Sequence, residues 1–233
     1  MLPFLDGQVW SALGHSSPAL LANLGECLGA LDLALAGFAH PGLDRPLLWD
    51  MEKTGTRLAD YKPMLESEQD LRLVEHFEAA YLRQVEPRRT RLRRGVIHND
   101  ANRGNVLVDE DGEHVTSIID FGDMIDSWLV LEPAIAATYA MHDQTDPLAC
   151  AVAVVRGYHR SLPLHDIEID VLFDLIGMRL CMSLCLCAYQ QRLQPDNTYL
   201  SVDQQQTRTL LQQFYPLERG EVQARLRAAC AQD

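Results

Sequence analysis

The chain has 233 residues, 47% hydrophobic and 23% charged, with a formal net charge of −13. These values fit a soluble globular protein of one large or two small domains. They argue against a nucleic-acid or anionic-membrane partner, since either calls for a basic surface.

Residues 17 to 38 carry Leu and Ala at helical spacing. Ser17 suits the N-cap and Pro18 the first helical position. HPGLDRP, residues 40 to 46, reads as a loop. Leu71, Val74, Phe77, Ala80, Tyr81 and Val85 form a helical stripe within residues 66 to 86. The following stretch, RQVEPRRTRLRR at 83 to 94, holds six arginines. A solvated helix end and linker is the reading preferred over a phosphate contact.

The texture then changes. GVIHND, NVLVD and VTSIIDF are short runs rich in Val and Ile, and Asp111-Gly112 is a tight-turn signal. Residues 95 to 122 therefore read as strand, polar loop, strand, turn, strand. Helical patterns return at 131 to 142, 147 to 162, 168 to 193 and about 203 to 229. VLFDLIGMRLCMSLCLCAY is long enough to suggest a membrane span, but Asp174 and Arg179 inside it predict a buried core helix. There is no internal repeat. The predicted fold class is α+β, mostly helical, with a small β-hairpin carrying a polar loop.

The six cysteines are Cys27, Cys150, Cys181, Cys185, Cys187 and Cys230. The opening MLPFLDGQVW lacks a secretory leader pattern, so the thiols are expected reduced and the protein cytoplasmic. Cys181, Cys185 and Cys187 sit among Leu, Met and Ala with no nearby His, and read as buried small hydrophobes rather than a zinc site.

The chemistry concentrates in HNDANRGN, residues 98 to 105, and in IDFGD, residues 119 to 123. Phosphoryl transfer needs a carboxylate beside the acceptor hydroxyl and oxygen ligands for Mg²⁺ on the phosphates. Asp100, Asn105 five positions on, and Asp120 at the end of a neighbouring strand supply that set. The turn at 111–112 folds the second strand back and brings Asp120 close to Asn105. The pattern H-x-D-x-x-x-x-N followed by D-F-G requires several matches at once.

HNDANRGNVLV followed by IIDFGDM resembles the aminoglycoside phosphotransferase and choline kinase family, which is related to protein kinases. With LEPAIAATYAM it resembles the hydroxylysine kinase-like members. The match is strongest over 95 to 141 and extends weakly to LPFLDG, which resembles the hinge between the two kinase lobes. The resemblance implies that 1–233 is a protein-kinase-like C-terminal lobe, with 1–9 a hinge remnant and the N-lobe absent. No Gly-rich loop is present, and the only lysines are Lys53 and Lys62. An uncovered hinge side around Leu2, Phe4 and Leu5 predicts a homodimer or docking to a partner or fused domain.

Carried over by residue, the resemblance makes Asp100 the catalytic base and Asn105 and Asp120 the Mg²⁺ ligands. His98 braces the catalytic loop through hydrogen bonds, and Asn99 stands where most members have glycine and bonds locally to the backbone. Asp123 serves metal or a cationic substrate, Trp49 and Asp50 lie near the acceptor cleft, and Leu5 of the hinge meets the nucleotide. Glu132 is read as a structural charge at a helix N-terminus. The expected function is a small-molecule O-kinase moving the γ-phosphate of GTP or ATP to an amino alcohol. A cleft with Asp100, Asp120, Asp123 and Asp126 suits an amine-bearing acceptor. The motif wording favours 5-hydroxylysine over choline, ethanolamine, homoserine or an aminoglycoside. The competing class is a non-catalytic module that binds an amine ligand or a partner chain. A metal-dependent phosphohydrolase is weaker, since it needs neither the Asn105 spacing nor Phe121-Gly122.

Overall fold

A computed structural model of the chain describes residues 5–194 and 196–231, and of 198–203 the backbone alone. Leu2 and Phe4 of the predicted association surface lie outside the described residues.

Helix α1, Pro18–Ala34, begins as its sequence dictates: the Ser17 hydroxyl accepts the Leu20 N–H at 3.1 Å and Pro18 follows. It packs along α5, Pro147–Ser161, closely enough that backbone meets backbone. A methyl group on Gly25 or Gly157 would run into Val154 O or Ala22 O of the other helix. A short α2, Thr54–Tyr61, buries Thr54, Leu58 and Tyr61. The sequence reading gave no helix there, because eight residues span barely two turns of periodicity. Helix α3, Glu68–Gln84, realises the stripe at 66 to 86 and buries Leu73, Val74, Phe77 and Tyr81.

The arginine run is less solvated than expected. A 3₁₀ stretch covers Glu86–Arg91. Arg93 then reaches the buried Glu168 at 2.6 Å, and Arg94 pairs with Glu52 and Asp126, both at 2.8 Å.

Among the described residues, five short strands form two antiparallel sheets. β1 (Gln8–Val9), β3 (Val106–Val108) and β4 (Val115–Ile118) make one, in the order β1-β3-β4. β2 (Arg94–Ile97) and β5 (Ile125–Trp128) make the other, with Ile97 opposite Ile125. The sequence reading placed the polar loop on one hairpin. In the structure loop 98–105 instead crosses from one sheet to the other, because β2 takes β5 as its partner and leaves β3 to β4. The turn after β3 is where Asp111-Gly112 put it, with Gly112 at φ +70°. Val106 stands opposite Ile118, and the Ile119 N–H donates to the Asn105 carbonyl at 2.9 Å. Asp120 is thus delivered beside Asn105.

The remainder is helical: α4 (Leu131–Ala140), α5, α6 (Asp166–Ile169), α7 (Leu172–Leu193), α8 (Thr198–Phe214) and α9 (Arg219–Cys230). The pattern at 168 to 193 breaks at Asp170, whose carbonyl accepts from Arg219 (2.5 Å) and Gln223 (2.8 Å). The pattern at 203 to 229 breaks around Pro216, which has no N–H to continue a helix. Helix α7 is the one described helix long and apolar enough to cross a membrane, but 89% of that window is buried within the fold. Its Asp174 is paired with Arg219 at 2.7 Å. Cys181, Cys185, Cys187 and Cys230 are buried, and burial pushes the Cys185 thiol up to about 12.

Candidate active site

Two residues in the left-handed backbone region shape the site. Asn99 lies at φ +68° and Asp120 at φ +61°, a conformation that Asn, Asp and Gly reach most readily. At Asn99 the chain turns sharply out of β2. Its N–H donates to Glu132 Oε2 at 3.1 Å, and its side-chain amide donates to the Asp123 carbonyl at 3.3 Å. The local backbone bond expected of Asn99 is therefore made to the IDFGD segment instead. At Asp120 the carboxylate Oδ1 accepts the Gly122 N–H at 3.2 Å and caps the turn Phe121–Asp123.

Asp100 sits half-buried between the two bends. Its Oδ2 accepts from Asn102 at 2.8 Å and from the Asn105 amide at 3.0 Å, and its Oδ1 lies 3.4 Å from the Tyr139 hydroxyl. Asn105 also donates to the Asp100 carbonyl at 2.9 Å. Burial raises the Asp100 pKa above the usual carboxylate value. The nearby Arg179 opposes this, the Asp123 charge adds to it, and the bonds from Asn102 and Tyr139 oppose it again. Arg179 reaches Asp100 through Tyr139, donating to that hydroxyl at 2.6 Å with its guanidinium 5.5 Å from the ring centroid.

His98 is fully buried. Its Nδ1 accepts the Asp100 N–H at 3.3 Å, and its Nε2 faces the Ile119 carbonyl at 3.0 Å. An N–H can only donate and a carbonyl only accept, so the ring carries its proton on Nε2 and is neutral. Its edge meets the Phe121 ring at 5.0 Å. His98 therefore ties loop 98–105 to the segment carrying Asp120, and both of its nitrogens are occupied by backbone.

A hard cation takes oxygen donors. With its nitrogen committed to Asp100, Asn105 offers Oδ1, and the exposed Asp120 offers its second carboxylate oxygen. Two protein oxygens suit Mg²⁺, which keeps phosphate and water in its other positions. No cluster of three or more His, Cys, Asp or Glu suited to a metal occurs among the described residues, so the fit rests on phosphate completing the shell.

The other expected residues lie further out. Asp123 is 3.9 Å from Arg45, and Arg45 also donates to the Gly122 carbonyl. Asp126 is paired with Arg94, so the cleft is less negative than composition suggests. Asp50 is buried, caps the turn Met51–Lys53 and pairs with Lys53 at 3.0 Å. With Arg45, Lys53, Arg94 and Asp126 it lines a cavity of about 490 Å³. Trp49 is half-buried against the core. Leu5 is 41% exposed and adjoins Asp6, whose carbonyl binds Thr116 on β4. Nothing among the described residues joins Leu5 to Asp100.

Four residues were missed as parts of the site: Glu132, Tyr139, Arg179 and Arg45. A charged Arg179 within an apolar helix was a usable signal, as was an acid at 132 followed by small residues. Arg45 lies in a featureless loop and gave none.

The sequence profile of the phosphotransferase enzyme family matches residues 1–166. A hydroxylysine kinase of Mus musculus is 30% identical over 229 residues, which are 93% of this chain and 60% of that protein. The chain thus spans about three-fifths of that relative's length. Among solved structures, a microcompartment-associated aminopropanol kinase superposes with a TM-score of 0.65 at 19% identity, covering 91% of this chain and 65% of the other. The amicoumacin kinase hAmiN, in complex with AMP-PNP, Ca²⁺ and its ligand, superposes with a TM-score of 0.59 at 16% identity over 88% and 63%.

Proposed function

This chain belongs to the phosphotransferase enzyme family, and from that premise we propose that it carries the catalytic loop of a cytoplasmic small-molecule O-kinase. The acceptor is an amino alcohol, 5-hydroxylysine first, and the donor is GTP or ATP with Mg²⁺. The observation that carries this reading is the setting of Asp100. Its carboxylate is oriented by two side-chain amides, one of them that of Asn105, and made more basic by burial.

In this reading Asp100 orients the acceptor hydroxyl and takes its proton as the phosphoryl group arrives. Its raised pKa strengthens it as a base, and Arg179, acting through Tyr139, keeps it ionised. Asn105 Oδ1 and Asp120 hold Mg²⁺, which when bound neutralises charge on the phosphate oxygens. His98 holds both segments in register and stays neutral. Asp123, fixed by Asn99 and Arg45, adds negative charge that favours a cationic acceptor. Asp50 belongs to the acceptor side through the cavity that Arg45 joins to the Asp120 turn, Trp49 precedes it in the chain and packs against the core, and Leu5 belongs to the nucleotide side. The hydroxylysine kinase relative supports the acceptor, and the AMP-PNP and Ca²⁺ of the amicoumacin kinase support a nucleotide donor with a metal ion.

The test is phosphate transfer from Mg-GTP and Mg-ATP to 5-hydroxylysine, with choline, ethanolamine, homoserine and an aminoglycoside as comparison acceptors, on this chain and on Asp100→Asn. Turnover on 5-hydroxylysine that disappears in the variant is the expected result. Turnover unaffected by Asp100→Asn would overturn the assignment of the base. Binding of an amine ligand with no transfer in any combination would favour the non-catalytic module.

A further inference from the structure

Behind the loop lies a pair of acids that phosphoryl transfer does not use. Asp32 on α1 is 4% exposed and Glu132 on α4 is fully buried. One oxygen of each is accounted for: Asp32 Oδ2 accepts the Tyr158 hydroxyl at 2.6 Å, and Glu132 Oε2 accepts the Asn99 N–H at 3.1 Å. The other oxygen of each, Asp32 Oδ1 and Glu132 Oε1, is buried with no hydrogen-bond partner. The two acids are also linked through backbone. The Leu129 carbonyl accepts the Glu132 N–H at 3.1 Å and lies 3.4 Å from the Tyr158 hydroxyl.

Two buried carboxylates without a cation are strongly disfavoured, and so are two buried acceptors without a donor. Neither acid forms an ion pair among the described residues. The titratable groups around them are Tyr158 on α5, Glu168 on α6 (itself bound to Arg93 at 2.6 Å), and His98 and Asp100 on the loop side of Glu132. The His98 backbone N–H also turns toward the Glu132 carboxyl, but no side chain among these groups donates to either unpartnered oxygen. A single proton removes both difficulties at once.

We infer that Asp32 and Glu132 share one proton, the neutral Asp32 carboxyl donating its O–H to the Glu132 carboxylate, and that this acid pair fixes the backbone at Asn99 and so positions Asp100. Glu132 is the anion because it receives the Asn99 N–H. Burial, followed by the Glu132 charge, pushes Asp32 up to about 9 against the opposing bond from Tyr158. Asp32 is then a positioning residue, two hydrogen bonds removed from the Asn99 backbone that leads into Asp100. Its effect on turnover rests on the kinase reading above, whereas the shared proton does not.

The test compares the full chain with Asp32→Asn, which keeps an N–H donor for Glu132 without titrating, and with Asp32→Leu, which supplies no donor. The infrared spectrum at pH 7 is expected to show a protonated-carboxyl band that Asp32→Asn removes. The folded chain holds a proton that the unfolded chain releases above about pH 4. Relative to Asp32→Asn, the wild-type unfolding constant should therefore rise about tenfold per pH unit from pH 5 towards 9, then level off. The stabilisation is complete below the unfolded value and is lost as pH rises through the folded one. In the transfer assay, wild-type kcat should fall above pH 9 with KM little changed, Asp32→Asn should lack that fall, and Asp32→Leu should lose about tenfold in kcat throughout. Identical unfolding slopes for wild type and Asp32→Asn, or no protonated-carboxyl band at pH 7, would overturn the inference. The infrared and unfolding measurements decide the shared proton even if the chain transfers no phosphate.

Discussion

Asn105 grips Asp100 twice, donating to its main-chain carbonyl at 2.9 Å and to its carboxylate at 3.0 Å. The same residue accepts the Ile119 N–H through its own carbonyl. One side chain therefore fixes the proposed base, and its backbone fixes the segment that ends in Asp120. Asn105→Ala removes that brace and a proposed metal oxygen together. The expected loss in kcat is on the order of 100-fold or more, since misplacing a catalytic group by about 1 Å is worth that much. The stability loss should be only about 1 kcal/mol, the net value of a partly exposed hydrogen bond. A denaturation curve beside the kinetic assay separates the two effects.

The pH dependence of turnover should show the Asp100 environment directly. A base works deprotonated, and burial raises Asp100 above the ordinary carboxylate value. The acidic limb of kcat/KM should therefore sit above that value. Tyr139→Phe removes a bond that favours the carboxylate, so the limb should move to higher pH, with less activity at acidic pH and little change at alkaline pH. The stability sign runs the other way. A raised folded pKa stabilises below the unfolded value, and that contribution is lost as pH rises through the folded value. Asp100→Asn should thus be inactive yet at least as stable as wild type at neutral pH, the trade-off expected of a strained catalytic group. Thermal unfolding of the variant checks this.

The α1–α5 contact is the least forgiving part of the fold. A Cβ on Gly157 would lie 1.8 Å from the Ala22 carbonyl oxygen, and one on Gly25 would lie 2.0 Å from that of Val154. Both obstacles are helix backbone, which cannot rotate aside. Gly157→Ala should cost about 3 kcal/mol or more despite the better helix propensity of alanine. A Gly55→Ala control, where the nearest atom is 4.0 Å away, should be neutral or slightly stabilising. The two melting curves together test the contact.

What was legible in the sequence follows from range. Helix α1 was readable because Ser17, Pro18 and the Leu pattern are local signals, and the Asn105–Asp120 juxtaposition because one turn at Gly112 sets it. The pairing of β2 with β5 was not readable. It spans 28 positions from Ile97 to Ile125, and nothing in either strand marks the other. The same limit hid Glu132. Its charge was visible, but its contact with Asn99, 33 positions away, depends on how α4 packs beneath the loop. The break between α8 and α9 was readable after all from Pro216, and was overridden by an apolar pattern that continues on both sides.

Arg45 couples the cavity that Asp50 lines to the Asp120 turn. Its guanidinium donates to the Gly42 carbonyl at 3.0 Å and to the Gly122 carbonyl, and stands 3.9 Å from Asp123. The ion pair is partly exposed and long, so by itself it contributes well under 1 kcal/mol. Its leverage comes from position, because Gly122 closes the turn capped by Asp120 and Arg45 lines the cavity with Asp50. Arg45→Ala should leave the melting temperature within about 2 °C of wild type. It should also raise the Mg²⁺ concentration for half-maximal rate and the acceptor KM, each by roughly tenfold, about 1.4 kcal/mol apiece. Arg45→Lys keeps the charge but cannot span two carbonyls in a fixed fork, and should fall between. A rise in acceptor KM without any change in the Mg²⁺ requirement would mean that Arg45 serves the cavity alone, and that the turn holds Asp120 without it.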